Sequence, residues 1–86
     1  MYTTVRGDAM YHYPRLKDLR EDHDCSQKQI GALLKTTQQQ YGKYELGVQE
    51  IPTHHLLTLA DFYHTSTDYL LGRTNTLKPY PAAKKL

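Results

Sequence analysis

Eighty-six residues suffice for one domain, which at this size buries only about 60% of its unfolded surface, so the core must be small and its elements short. Eleven Lys and Arg stand against nine Asp and Glu, a formal charge of +2, and so even a balance argues against purely electrostatic binding to a polyanion. Cys25 is the only cysteine, which excludes an internal disulfide and fits a reducing cytoplasm, and no apolar run approaches the roughly 18 residues of a membrane span.

The opening MYTTVRGDAM lacks any periodicity, so residues 1–13 are expected to form a flexible arm, with Met10 as an alternative start. A first helix should begin at Pro14, whose fixed φ and missing N–H suit the first helical position. It places Leu16, Leu19 and His23 on one side and stops near Asp22-His23-Asp24, with Cys25 returning to the interior. A second helix is predicted from Gln27 to about Leu34, burying Ile30 and one of Leu33 and Leu34, with Gly31 allowing close approach of another helix. The third runs from Gln38 to Leu46 and ends at Gly47, a normal residue just past a helix end.

The fourth helix follows Ile51-Pro52-Thr53, with Leu56, Leu59, Ala60 and Tyr63 forming an amphipathic stripe. Ser66 caps a fifth helix, supported by Asp68 in its first turn and closed by Gly72. Alternation is almost absent, so strands are not expected and the fold class is all-α with five helices. Residues 74–86, with Pro79, Pro81 and the closing Lys84-Lys85, are expected to be an extended tail. The domain is thus confined to residues 14–73.

The region from Ser26 to Gly47 carries the same helix-start signal twice. Ser26-Gln27-Lys28-Gln29 and Thr37-Gln38-Gln39-Gln40 both have the S/T-x-x-Q form of a capping box, in which a hydroxyl and a glutamine side chain satisfy free backbone N–H groups reciprocally. Two helices therefore begin close together, joined by a tight turn at Lys35-Thr36. The second of them opens with three glutamines, whose amides can pair with both the donor and the acceptor on the edge of adenine. That combination points to a helix-turn-helix reading DNA.

Leu19-Arg20, Ser26-Gln27, Ile30-Gly31, Leu34, Tyr41, Tyr44-Glu45, Gly47, Leu59-Ala60-Asp61 and Asp68-Tyr69-Leu70-Leu71-Gly72-Arg73 follow one another in this chain. In that order and spacing they resemble the Cro/phage-repressor type of helix-turn-helix regulators, the Xre-like family. The resemblance covers about residues 14–73. It implies a compact, lambda-repressor-like fold of five helices, with the helix starting at Gln38 in the major groove and the preceding helix across the phosphate backbone.

On this reading Gln38 and Gln39, at the helix start, are the principal base contacts, each able to discriminate adenine by about 1–3 kcal/mol. Gly42 and Lys43 share their face. Lys43 suits phosphate or guanine, while the helix-internal Gly42 admits either close approach to DNA or tolerated drift. Gln27 and Lys28 are expected at phosphate, beside a helix N-terminus; Gln40 ranks below its neighbours because the capping box competes for it. Arg20 and Glu45 match the family's structural ion pair, and Arg20 is also a candidate phosphate contact.

Departures from the family pattern are local. Lys35 and Asp24 stand where glycine is common, so both are expected in left-handed or related backbone. The loop Val48-Gln49-Glu50 is acidic rather than basic, and His55 replaces a commoner apolar residue.

Other chemistry has less support. His54 and His55 are adjacent, hence expected on different helix faces, and without HExxH or paired Cys/His spacing no metal is expected. Cys25 with His23 suggests a packed apolar cysteine rather than a nucleophile–base pair, and Tyr41, Tyr44, Tyr63 and Tyr69 fall at core positions. No enzyme, cofactor, membrane association or small-molecule effector is therefore expected. The function expected is that of a cytoplasmic, nucleoid-associated regulator, a steric repressor binding a palindromic operator as a homodimer, with Leu70, Leu71, Leu77 and Tyr80 at the dimer surface. The competing expectation is an antitoxin-like or accessory protein-interaction module built on the same fold.

Overall fold

A computed structural model describes residues 10–81. They form five helices, α1 (Pro14–Asp22), α2 (Gln27–Leu33), α3 (Gln38–Leu46), α4 (Thr53–Tyr63) and α5 (Thr67–Leu70). No strand occurs among the described residues, and each helix start predicted above lies within a residue of its place.

The core is assembled from the apolar stripe of every helix. Leu16 and Leu19 of α1, Ile30 of α2, Tyr41 and Tyr44 of α3, Leu56, Leu59, Ala60 and Tyr63 of α4, and Leu70 of α5 are all buried together, with Leu34 and Ile51 added from the connections. Tyrosines do much of the filling, as expected. A buried tyrosine brings a large apolar ring, and Tyr41 and Tyr44 meet edge to face at 6.5 Å.

Three connections turn through left-handed backbone at residues that are not glycine: Asp24 (φ 56), Lys35 (φ 60) and His64 (φ 56). The first two are the positions where glycine was missing from the pattern. His64 was not anticipated; it closes α4 as Gly47 closes α3 and Gly72 follows α5. Each such residue costs on the order of 1 kcal/mol relative to glycine, offset by the carbonyls its turn satisfies. At Lys35 these are Ala32 O, bonded by the Lys35 N–H, and Gly31 O, bonded by the Thr36 N–H at 2.8 Å.

The segment before α1 is held to the domain. The Met10 and Tyr11 N–H groups both donate to Gly47 O at 2.9 Å. Tyr13, placed by sequence at the end of the arm, is a core residue whose hydroxyl accepts the Ile51 N–H at 3.3 Å. Beyond α5 the chain is held as well. Arg15 donates to Tyr69 O at 2.8 Å, to Asn75 Oδ1 at 2.7 Å and to Thr74 O, with its guanidinium 3.9 Å over the Tyr69 ring. Thr65 donates to Leu77 O at 2.6 Å and Tyr80 to Asp68 at 3.1 Å. Residues 1–9 of the expected arm and 82–86 of the expected tail lie outside the described residues.

Candidate nucleic-acid interface

Sequence and packing together fix α3 against α2. At Ser26 the capping box is complete: its Oγ accepts the Gln29 N–H at 3.0 Å and its own N–H donates to Gln29 Oε1 at 2.7 Å. At the crossing, Gly31 leaves no room for a side chain, since a Cβ there would lie 2.9 Å from Thr37 O. The close helix approach expected of Gly31 is therefore real, and it is backbone against backbone.

The second capping box is only half made. Thr37 Oγ1 accepts the Gln40 N–H at 3.0 Å, but the Gln40 side chain donates to Gln49 Oε1 at 2.8 Å instead of returning to the Thr37 N–H. Gln49, in the loop after α3, was not singled out by sequence; nothing in a loop of this length fixes which side chain folds back onto the helix. With that bond made, Gln40 has one amide hydrogen left for any phosphate contact.

Glu45 organises the inner side of α3. Arg20 Nε reaches its Oε2 at 2.6 Å and Arg20 Nη2 its Oε1 at 3.1 Å, while Gln27 Nε2 donates to Oε1 at 3.0 Å. Burial by itself would push the Glu45 carboxyl up, yet its polar neighbours, Arg20 foremost, prevail and hold it below its ordinary value. The same partnership raises Arg20. The expected Arg20–Glu45 pair is present. It also redirects two assignments: Gln27 turns its amide nitrogen to Glu45 rather than outward, and Arg20, which also donates to Cys25 O at 3.0 Å, has most of its N–H groups engaged within the domain.

What α3 leaves to solvent is a narrow face. Gln38, Gln39 and Lys43 are exposed and Gly42 is half-exposed, opposite the buried Tyr41 and Tyr44. Leu46, seven positions after Gln39, belongs to the same face and is 70% exposed, a residue that the helical repeat could have identified. Lys28 and Lys35 are exposed on α2 and its turn, so cations occur on both elements of the pair, while the one acidic residue of α3 is turned inward and neutralised by Arg20. At Gly42 the nearest atom to an added Cβ would be Gln27 Oε1 at 3.5 Å, an ordinary contact, so nothing within the domain requires glycine there.

Among the residues expected at a dimer surface, Leu70 is a core residue at 1% exposure and has no surface to offer a second copy; it is removed from that set. Leu71, Leu77 and Tyr80 are exposed. The His54 and His55 rings, expected on different faces, come within 4.3 Å of each other at the start of α4, where helical geometry is only beginning, and His55 lies 5.9 Å from the Tyr44 ring. No helix among the described residues is long and apolar enough to cross a membrane.

A family model described as Helix-turn-helix matches residues 16–70. Three proteins of Bacillus subtilis (strain 168) are similar over most of the chain. The "Uncharacterized HTH-type transcriptional regulator YobD" is 33% identical over 72 residues, 84% of this chain and 64% of that protein. The "SPbeta prophage-derived uncharacterized HTH-type transcriptional regulator YonR" is 39% identical over 61 residues, 71% of this chain and 56% of the relative. The "HTH-type transcriptional regulator ImmR" is 34% identical over 64 residues, 74% of this chain and 50% of its partner in the comparison. The chain thus spans between half and two thirds of the length of the curated relatives it matches. No solved structure matches it.

Proposed function

The chain belongs to the helix-turn-helix family of the Cro/phage-repressor type, and from that membership we propose that it binds duplex DNA sequence-specifically as a transcriptional regulator, with α3 in the major groove. The observation that carries the proposal is the solvent face of α3: Gln38, Gln39 and Lys43 project from a helix whose opposite side is fixed by Tyr41, Tyr44 and the Arg20–Glu45–Gln27 network. A reading helix must hold its side chains in register with base edges, and this one is anchored on its inner side before any DNA arrives.

Gln38 and Gln39 supply paired donors and acceptors for base edges, and Lys43 supplies a cation for guanine or phosphate. Lys28 supplies phosphate contact from α2. Gln27 is assigned a positioning role in place of phosphate contact, because its amide holds Glu45. A homodimer on a palindrome would place two copies of α3 about 34 Å apart, one turn of DNA, with Leu71, Leu77 and Tyr80 at the surface between copies, and repression would follow from occupancy of the operator.

Selection of bound duplexes from a random pool tests the proposal. Recovery of a palindrome with A·T at the positions facing Gln38 and Gln39 supports it; a pool without a motif after enrichment removes sequence-specific reading by this helix.

A further inference from the structure

Ser26 and Thr37 open their helices with the same signal, yet only Ser26 receives the returning glutamine. There the box is closed by Gln29 Oε1 at 2.7 Å. At Thr37 the corresponding side chain, that of Gln40, runs away from the helix start and donates from Nε2 to Gln49 Oε1 at 2.8 Å. The bond spans nine residues and joins the first turn of α3 to the loop that follows its last.

Gln49 is exposed, but the loop beneath it is fixed on both sides. The Val48 N–H donates to Lys43 O at 3.1 Å, and the buried Ile51 donates its N–H to the Tyr13 hydroxyl at 3.3 Å. A bond between two neutral, solvent-accessible amides adds little to stability, because water serves either amide nearly as well. Its consequence is one of direction.

Successive residues of a helix point about 100° apart, so the three glutamines fan over different sides of α3. Gln38 shares a side with Gly42, one turn on, to which the Gln27 amide of α2 is the nearest group. Gln40 lies on the other flank, held by Gln49. Between the two flanks run the exposed Gln39, Lys43 and Leu46. A completed capping box would have used Gln40 Oε1 at the Thr37 N–H. With one Nε2 hydrogen given to Gln49 instead, Gln40 keeps Oε1 and its second hydrogen, an acceptor beside a donor, the combination that the edge of adenine requires.

We propose that Gln49 is a positioning residue for sequence recognition: by drawing Gln40 off the cap it makes Gln40 a third reading amide, on the loop side of α3. The inference rests on the DNA-binding reading above. Gln49 acts through Gln40 and is not itself the base contact. Held before DNA arrives, Gln40 has less rotamer freedom to lose on contact.

The test measures affinity for the selected duplex and for versions of it changed one base pair at a time, using the full chain, Gln40→Ala, Gln49→Ala, Gln49→Glu and the double variant. Gln40→Ala should lose about tenfold in preference at one base pair per half-site, equivalent to 1.4 kcal/mol, and Gln49→Ala should lose most of that preference at the same base pair. The double variant should lose no more than Gln40→Ala alone. Gln49→Glu still accepts from Gln40, so it should restore the preference there while its charge weakens binding to every duplex alike. Urea midpoints of Gln49→Ala should equal or exceed those of the parent, since Gln40 is then free to close the box. In the chain without DNA, the Gln40 side-chain amide signals in a nitrogen–proton NMR spectrum should shift in Gln49→Ala. An unmoved amide, a Gln49→Ala loss spread evenly over the duplex, a further loss in the double variant, or a parent that selects a sequence which Gln49→Ala reads unchanged overturns the proposal alone. A parent that shows the amide shift but prefers no duplex overturns the DNA reading, and this inference with it.

Discussion

Arg20 holds Glu45 with two nitrogens, Nε on one carboxylate oxygen at 2.6 Å and Nη2 on the other at 3.1 Å, and so joins the first helix to the third across the core. The side chains are 13% and 5% exposed, so neither charge has water to fall back on. Replacing one partner strands the other, at roughly 3–5 kcal/mol for a buried pair. Glu45→Ala should therefore lower the unfolding free energy in urea by about that amount. At a temperature where the variant is still folded, its preferred DNA sequence should be that of the parent. An altered preferred sequence with unchanged stability would make Glu45 a reader instead of a support.

Acid should act in two stages. His55 is pushed below its ordinary 6.5, first by burial and second by the charge of His54. As the pH falls below 6.5 the unfolded chain takes up a proton that the folded chain resists, so stability declines until the folded imidazole is protonated too. Glu45 is held below its ordinary 4.5. Its contribution is complete above 4.5 and is lost as the pH falls through the lower folded value. Urea midpoints from pH 8 to pH 3 should show both declines, and His55→Leu should flatten the upper one while leaving the lower in place.

Two glycines should respond in opposite directions to the same change. At Gly42 an added Cβ meets only a glutamine amide at 3.5 Å, so Gly42→Ala should raise stability by about 0.5–1 kcal/mol through helix propensity. At Gly31 it would lie 2.9 Å from the Thr37 carbonyl oxygen, so Gly31→Ala should destabilise by about 1–3 kcal/mol as α2 and α3 are forced apart. Thermal melts of the pair decide this, and duplex affinity measured on Gly42→Ala decides whether glycine is kept there for DNA.

Base and phosphate contacts separate by how binding changes with sequence and salt. Gln38→Ala or Gln39→Ala should cost about 1–3 kcal/mol on the preferred duplex and relax preference at one position per half-site. Lys28→Ala should weaken binding to all duplexes alike and reduce the slope of log affinity against log salt by about 1. A uniform loss from the glutamine variants would return them to the role of a solvated face.

Neighbouring leucines at the end of α5 distinguish core from contact surface. Leu70→Ala should lose about 2–5 kcal/mol of stability, as a buried leucine does, without a specific effect on association. Leu71→Asp should leave the melting temperature within a degree or two while shifting the monomer–dimer equilibrium in sedimentation. Unchanged association would place any dimer surface elsewhere.

The fold was legible because its signals are local and repeated. Ser26, Thr37, Ser66 and Gly47 mark helix ends through bonds a few residues long, Pro14 does so through its fixed φ, and the apolar stripe of α4 could be read from spacing alone. The exposed glutamine face followed from the burial of Tyr41 and Tyr44. Sequence failed where one side chain chose between partners of similar chemistry. Gln40 could return to its own helix start or reach Gln49, and Gln27 could face phosphate or Glu45; both choices depend on elements that meet only after folding. Tyr13 was assigned to the arm for a related reason: its place in the core is set by Ile51, 38 residues away.

The carbonyl of Gly47 receives two N–H groups, those of Met10 and Tyr11, and this has a practical bearing on how the protein is handled. Met10 is thereby held at the C-terminal end of α3, where Leu46 and Val48, the neighbours of Gly47 in the chain, are exposed. If α3 enters the groove as proposed, a fluorescent label attached at Met10 would stand next to that face and would compete with DNA for the space. Affinity measurements are cleaner with labels carried at the other terminus.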